Sequence, residues 1–261
     1  MTISALDDTP MLGARRWAQR VAGPFILFIV WWIAQATGLV TPKLLPSPIR
    51  TVQSVVENFG DGLGYDLAQT IGRTLQAFGI ALVAGLPLGI VIGSSRAVYR
   101  SIEFLIDFFR STPATALFPL FMIVFGLGDF AKISVAAFSA WLIILFNVAY
   151  GVMNARQTRI LAASVMGASR LRIFRDVTFY ESLPQTFVGL RMAVSLALVV
   201  IIVAEMFIGS DNGLGKRIID SQITFDMPQL YGTILVTGAL GYGLNVLFFA
   251  LESRVVHWSG R

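Results

Sequence analysis

The chain has no cysteine and one histidine, His257, among its 261 residues. That excludes disulfide staples, zinc sites assembled from Cys and His, and Cys/His nucleophile pairs. Charge is scarce too: Asp, Glu, Lys and Arg make up 13%, against roughly 25% in soluble domains. No carboxylates pair at glycosidase or protease spacing, and Glu205 stands alone in its apolar run. The titratable groups that would have to converge in a catalytic centre are missing, so the sequence reads as that of a non-enzyme. Collagen-like and disordered chains are excluded by the same composition.

Apolar residues take the place of charge, at 56% of the chain, with 20 Phe, 24 Gly and 10 Pro. A helix needs roughly 20 mostly apolar residues to cross a bilayer core. Stretches 21–42, 74–95, 111–128, 133–155 and 227–251 contain no Asp, Glu, Lys or Arg, and 192–210 contains only Glu205. This pattern predicts an all-α membrane protein with six transmembrane helices; the alternation of a membrane β-barrel is absent. Pro113 and Pro119 must bend the third span. The expected organisation is a cytoplasmic segment 1–20, a membrane domain 21–258 and a cytoplasmic tail 259–261.

Six spans place both termini on one side. With that side cytoplasmic, the 20 Lys and Arg divide fourteen to six. Segments 1–20, 96–110, 156–191 and 252–261 hold the fourteen, and only Lys43, Arg50, Arg73, Lys132, Lys216 and Arg217 lie outside. The positive-inside rule thus sets the orientation and accounts for the net charge of +5. A nucleic-acid partner is not expected, because the basic residues do not cluster with aromatics on a soluble face. Arg15–Arg16 ahead of the first span, with Ala34–Gln35–Ala36 resembling a cleavage site, also fits a cleaved signal peptide. The run is longer than a usual signal core and carries Trp31 and Trp32, so a retained helix is expected.

No loop is long enough to be a soluble domain. Val52, Val55, Val56 and Phe59 fall at helical spacing in the first external loop and suggest an interfacial helix. Gly213–Leu214–Gly215–Lys216–Arg217 has the outline of a phosphate loop. However, Ser210 stands where its first Gly is required and Arg217 where Ser or Thr is required. The chain therefore has no nucleotide site of its own, and no metal or cofactor is expected.

The cytoplasmic segment 156–191 is patterned. A short helix over 160–166 carries adjacent Ala162 and Ala163, and Gly167 suits the left-handed position after a helix end. Ser169 can cap a second helix running to about Phe179, with Leu171, Phe174 and Val177 as an apolar stripe flanked by Arg170, Arg172, Arg175 and Asp176. Leu183–Pro184 is expected to stop it before the next span. Such a helix–Gly–helix projection suits either a groove on another protein or a bed of anionic headgroups.

Segment 161–184 resembles the cytoplasmic motif of ATP-binding-cassette (ABC) importer permeases, E-A-A-x3-G-x9-I-x-L-P. Ala162, Ala163 and Gly167 match, and Val177 takes the Ile position. Leu161 replaces the Glu and Phe179–Tyr180 the Leu-Pro, while Leu183–Pro184 matches a second Leu-Pro. Leu45–Pro46–Ser47–Pro48, Arg110–Ser111–Thr112–Pro113, Phe125–Gly126–Leu127–Gly128 and Ala204–Glu205 followed by Gly213–Leu214–Gly215 are similar to the nitrate/sulfonate/taurine branch. The resemblance covers about 44–258. It implies a type I importer fold in a bacterial plasma (inner) membrane and a partnership with a second copy of the chain, two cytoplasmic ATPase subunits and an external solute-binding protein. ATP would be bound by the ATPase. It also implies that Ala162, Ala163, Gly167, Ala168, Ser169, Leu171 and Phe174 form the ATPase-coupling element. The solute would be a sulfonate, taurine, nitrate or a related compound. The competing reading is a secondary transporter or channel for a small anion working alone.

Three further sets of residues stand out. Gly85, Gly89 and Gly93 repeat every fourth position and let a neighbouring helix approach, within the subunit or at a dimer seam. Glu205, costly in an apolar span, either lines or gates the pathway or pairs with a hydroxyl, amide or Arg to fix helix packing. Asn147 has the same two readings, packing or solute contact.

Overall fold

The computed structural model describes residues 10–41 and 43–258. Among the described residues there is no strand. The elements are α1 (Pro10–Ala36), α2 (Pro48–Asn58), α3 (Gly64–Gly93), α4 (Arg96–Ser111), α5 (Phe118–Phe125), α6 (Asp129–Met153), α7 (Gln157–Val165), α8 (Arg170–Ile173), α9 (Phe179–Phe207), α10 (Leu214–Ile223) and α11 (Met227–Val255).

Among the described residues, four of the six expected spans and a broken fifth are visible, with different outlines. Four helical stretches, Pro48–Gly93, Asp129–Met153, Arg170–Phe207 and Met227–Val255, are long and apolar enough to cross a membrane. The third expected span is a broken pair, Arg96–Ser111 and Ala114–Phe125, bent by 92°. Pro113 explains the break: it has no N–H to donate and holds Thr112 extended, at φ −80° and ψ 124°. The apolar part of α1, Phe25–Ala36, is shorter than a crossing helix. Segments 1–9 and 259–261 lie outside the described residues.

α6 is the axis. It packs on α3 and α9, and small residues set the separations. A Cβ at Gly85 would lie 3.0 Å from Ile144 Cγ2, one at Gly89 2.7 Å from Val148 Cβ, and one at Gly93 2.6 Å from the Ala149 carbonyl oxygen. The glycine ladder of α3 therefore lies against α6 of the same chain. Gly189 of α9 meets the Asn147 side chain in the same manner. Phe78, Ala81, Ile144, Val148, Ala193, Val194 and Ala197 fill the space between the three helices.

Leu183–Pro184 does not end a helix. The chain is helical from Arg170 through Phe207, with a wider π turn at Phe174–Thr178 absorbing the irregularity and Pro184 inside α9. Pro184 withholds the backbone donor that would meet the Tyr180 carbonyl, and the helix runs through it. α7 and α8 cap one end of the bundle, whereas α2 and α10 cap the other. There Gln229 of α11 donates to Asn58 of α2 (2.9 Å). α1 is attached through Trp31, whose ring nitrogen donates to the Pro46 carbonyl (3.1 Å).

Candidate functional site

Each end of the bundle carries a candidate. At the α7–α8 end, the chain leaves α7 through a Schellman turn. Gly167, at φ +80°, donates to the Ser164 carbonyl (3.0 Å), and Ala168 donates to the Ala163 carbonyl (3.1 Å). These two bonds satisfy carbonyls that a helix end leaves open, and the positive φ is why glycine stands there. Ser169 Oγ then accepts from the Arg172 N–H (3.4 Å) and starts α8. The result is a rigid corner.

The seven residues assigned to this corner divide by environment. Ala163 is buried, Ala168 and Phe174 are half-buried, and Ala162, Gly167, Ser169 and Leu171 are exposed. A Cβ at Gly167 would meet nothing within 4 Å, so the tip is open. Leu161, Val165, Met166 and Leu171 form an apolar cap over it, with Val165 89% and Met166 80% exposed. Ile160, Leu171 and Phe174 also line a cleft against the ends of α3 and α6 nearest this corner, at Gly93 and Val152. Arg159, together with Arg156 (3.6 Å), pairs with Glu181 of α9, tying α7 to that long helix. Sequence reasoning passed over this tie, although its signal was present: two arginines just ahead of the motif segment and one acid, Glu181, near its end.

At the opposite end lies a polar network centred on Glu205, which is fully buried. Its Oε1 accepts from Arg73 (2.7 Å), its Oε2 accepts from the Gly215 N–H (2.9 Å), and Thr70 Oγ1 donates to the carboxylate (3.0 Å). Arg73 also donates to the Asn212 carbonyl (3.0 Å) and to Asn212 Oδ1 (2.6 Å), and its Nε lies 3.1 Å from Asp129. Lys132 donates to the Gly209 carbonyl (3.0 Å) and Ser210 Oγ (2.9 Å) and pairs with Asp129 (2.9 Å). Asp66 accepts from the Gly213 N–H (2.8 Å) and from Arg217 Nε (2.6 Å).

The two glycines of Gly213–Leu214–Gly215 have separate steric reasons. A Cβ at Gly213, already at φ +118°, would lie 2.5 Å from the Glu205 carboxylate, and one at Gly215 would collide with the Ile202 carbonyl and Glu205 Cβ. The loop is therefore a lid of backbone laid on a carboxylate. Arg73, read from sequence as an external charge, is its buried counterion, and Lys132, read the same way, is buried against Asp129 and the loop at 209–210. Depth supplied the signal. Both Arg73 and Glu205 sit at the same end of their spans, and a carboxylate in an apolar helix needs a cation within reach.

Asn147 is buried between α6 and α9. Its amide nitrogen donates to the Ile143 carbonyl (2.9 Å), and its oxygen accepts from Gln185 (2.8 Å). The structure does not bring Asn147 and Glu205 together: one serves the α6–α9 contact, the other the α10 end.

Against this geometry stand the similarities to known proteins. The family described as binding-protein-dependent transport system inner membrane component matches residues 85–257. The nitrate import permease protein NrtB of Leptolyngbya laminosa is 31% identical over 80% of this chain and 78% of its own length. The taurine transport system permease protein TauC of Escherichia coli is 28% identical over 90% of this chain and 87% of its own. Among solved structures, an inward-facing MetNI methionine ABC transporter chain superposes with a TM-score of 0.65 at 20% identity, covering 74% of this chain and 95% of that one.

Proposed function

On the premise that the chain belongs to the binding-protein-dependent transport system inner membrane component family, we propose that it lines the path of a small anion through an ATP-driven importer. It is an ABC importer permease subunit, and its role is transport. In the proposed assembly, two copies face each other across the pathway, two ATPase subunits dock on the α7–α8 corners, and a binding protein delivers solute at the α10 end. Both termini then lie in the bacterial cytoplasm.

The observation that carries this reading is the corner around Gly167. Its exposed apolar cap lacks a partner within the described chain, while Arg159 and Glu181 fix it to α9, a helix that runs to the far network at Glu205. A rigid link of this kind can pass a rigid-body displacement from a cytoplasmic motor into the membrane. An oxyanion such as a sulfonate or nitrate is the favoured solute class. The relatives named for nitrate and taurine support it.

The test is Gly167→Trp in the reconstituted complex. A bulky ring on the open tip should abolish docking, so that uptake falls and ATP hydrolysis no longer responds to loaded binding protein. Normal coupling in that variant would refute the docking role. Accumulation of solute by the purified chain with no ATPase present would refute the whole reading in favour of a transporter working alone.

A further inference from the structure

α4 carries its charges on a single line. Arg96, Arg100, Glu103, Asp107 and Arg110 follow at intervals of four, three, four and three residues, and all five are exposed. That spacing holds side chains on one face of a helix. The side next to that line packs on α6, and Arg96, Arg100 and Glu103 share a cleft with Tyr150 of α6 and Asn154 at its end. Tyr99 lies near Tyr150, Ile106 is buried with Leu145 and Ala149, and Phe109 meets Phe138 edge-on at 5.6 Å. From Tyr99 to Phe109, α4 rises about 15 Å; from Tyr150 to Phe138, α6 covers about 18 Å. α4 therefore climbs antiparallel along a membrane-crossing helix. A helix resting on the headgroups would meet α6 at only one level.

The charged line thus enters apolar depth, where ionisable side chains face water-filled space or one another. Arg110 is its innermost member. The nearest oxygen of Asp107 is 3.7 Å away, beyond hydrogen-bond reach, and the guanidinium lies 4.8 Å from the Phe146 ring centre, with 51% of the side chain exposed. Beyond Arg110 the chain breaks and turns by 92°. The turn frames a cavity of about 250 Å³ lined by Arg110, Thr112, Pro113, Phe138, Ser139 and Leu142. Pockets for drug-sized ligands begin at roughly 300 Å³, so this one suits a smaller guest. The Thr112 and Ser139 hydroxyls donate to the Phe108 and Val135 carbonyls (both 2.9 Å), so the donors left for a guest are the guanidinium N–H groups. A guanidinium with spare N–H donors among aromatic walls is the chemistry that recognises an oxyanion.

We propose that α4 lines the cytoplasmic half of the solute pathway and that Arg110 receives the anionic group of the solute there. The proposal rests on the transport reading above and adds the residue that recognises the charge.

The experiment uses the assembled transporter in proteoliposomes. Because the chain has no cysteine, each of Arg96→Cys, Arg100→Cys, Glu103→Cys, Asp107→Cys and Arg110→Cys is its only reactive thiol. The probe is a membrane-impermeant thiol reagent bearing a sulfonate. The five positions should label from the cytoplasmic face while Phe104→Cys and Leu105→Cys do not. Saturating transported anion should slow labelling at 107 and 110 about fivefold or more and leave Arg96→Cys unchanged. Labelling of the five with no protection by solute is what a surface-lying helix gives, and it overturns the proposal.

In parallel, uptake of labelled taurine, nitrate and ethanesulfonate is measured. Arg110→Ala should lose about tenfold or more for whichever anion the wild type carries, the usual consequence of removing a charge-assisted hydrogen bond. Arg110→Lys should recover much of the maximal rate at a higher KM. Wild-type uptake by Arg110→Ala overturns the assignment. A wild-type complex that carries none of the three refutes the substrate class, and the role of Arg110 with it. The thiol pattern then judges separately whether α4 lines the pathway.

Discussion

Arg73 of α3 and Glu205 of α9, 132 positions apart in sequence, form an ion pair of 2.7 Å inside the bundle. Their pairing fastens two spans to the loop 209–215, because Thr70, Asn212 and the Gly215 N–H bond to the same two groups. Taking one partner from a buried pair strands the other charge, at about 3–5 kcal/mol. Asp129, 3.1 Å from Arg73, blunts the loss on one side. Glu205→Gln and Arg73→Met should each lower the melting temperature of the purified protein markedly. The double variant should recover about 1–3 kcal/mol relative to the sum, the size of coupling expected for residues in contact. Strict additivity in that cycle would show that the pair is not energetically linked.

The loop glycines separate steric from conformational cost. Gly209 is at φ +89° with open space around it, so Gly209→Ala should cost only the left-handed backbone penalty of about 1–2 kcal/mol. Gly213→Ala adds a collision with the Glu205 carboxylate, and Gly215→Ala pushes a methyl onto the Ile202 carbonyl. Both should lose about 3 kcal/mol or more. Folded yield and thermal midpoint in detergent give the ranking. Equal damage at Gly209 and Gly213 would mean that backbone strain alone sets the effect at those two positions.

Much of this architecture was legible in sequence, because apolar length and the scarcity of charge act locally. The spans around α3, α6, α9 and α11, the Gly167 corner, and the Ser169 cap follow from residues within a few positions of one another. The rest depended on distant partners. Nothing near Glu205 in sequence discloses that Arg73 neutralises it. Leu183–Pro184 reads locally as a helix stop, yet packing of α9 against α6 carries the helix through. Proline rules describe isolated helices, and tertiary contact overrode them here.

The glycine ladder on α3 offers an internal control. At Gly89 a methyl would sit 2.7 Å from Val148 Cβ and 2.9 Å from the Leu145 carbonyl oxygen, and the carbonyl is backbone that cannot step aside cheaply. Gly89→Ala should cost about 1–3 kcal/mol by overpacking. At Gly79, on the same helix, a methyl would meet nothing within 4 Å. Gly79→Ala should be neutral, or stabilising by up to about 1 kcal/mol through helix propensity. Thermal unfolding of the two variants checks the contrast. A stable Gly89→Ala would mean that α3 and α6 can separate freely.

The link between the corner and α9 is testable by exchange of charge. Glu181 is flanked by Arg156 and Arg159, both largely exposed, so the pairs add little to stability, in the range of about 0–1 kcal/mol. Their value lies in stiffness: they hold α7 to the helix that reaches Glu205. Glu181→Arg brings three like charges together at a side chain only 14% exposed, so it should lower the melting temperature modestly while leaving ATP hydrolysis intact and reducing solute moved per ATP hydrolysed in the reconstituted complex. Adding Arg159→Glu to Glu181→Arg rebuilds one pair with its sense reversed and should restore coupling in part, since Arg156 then faces a like charge at 181. A global fold defect would instead lower stability and hydrolysis together. Failure of the reversed pair to recover any transport per ATP would show that the corner transmits motion through its packed face, at Ile160 and Phe174, without help from these charges.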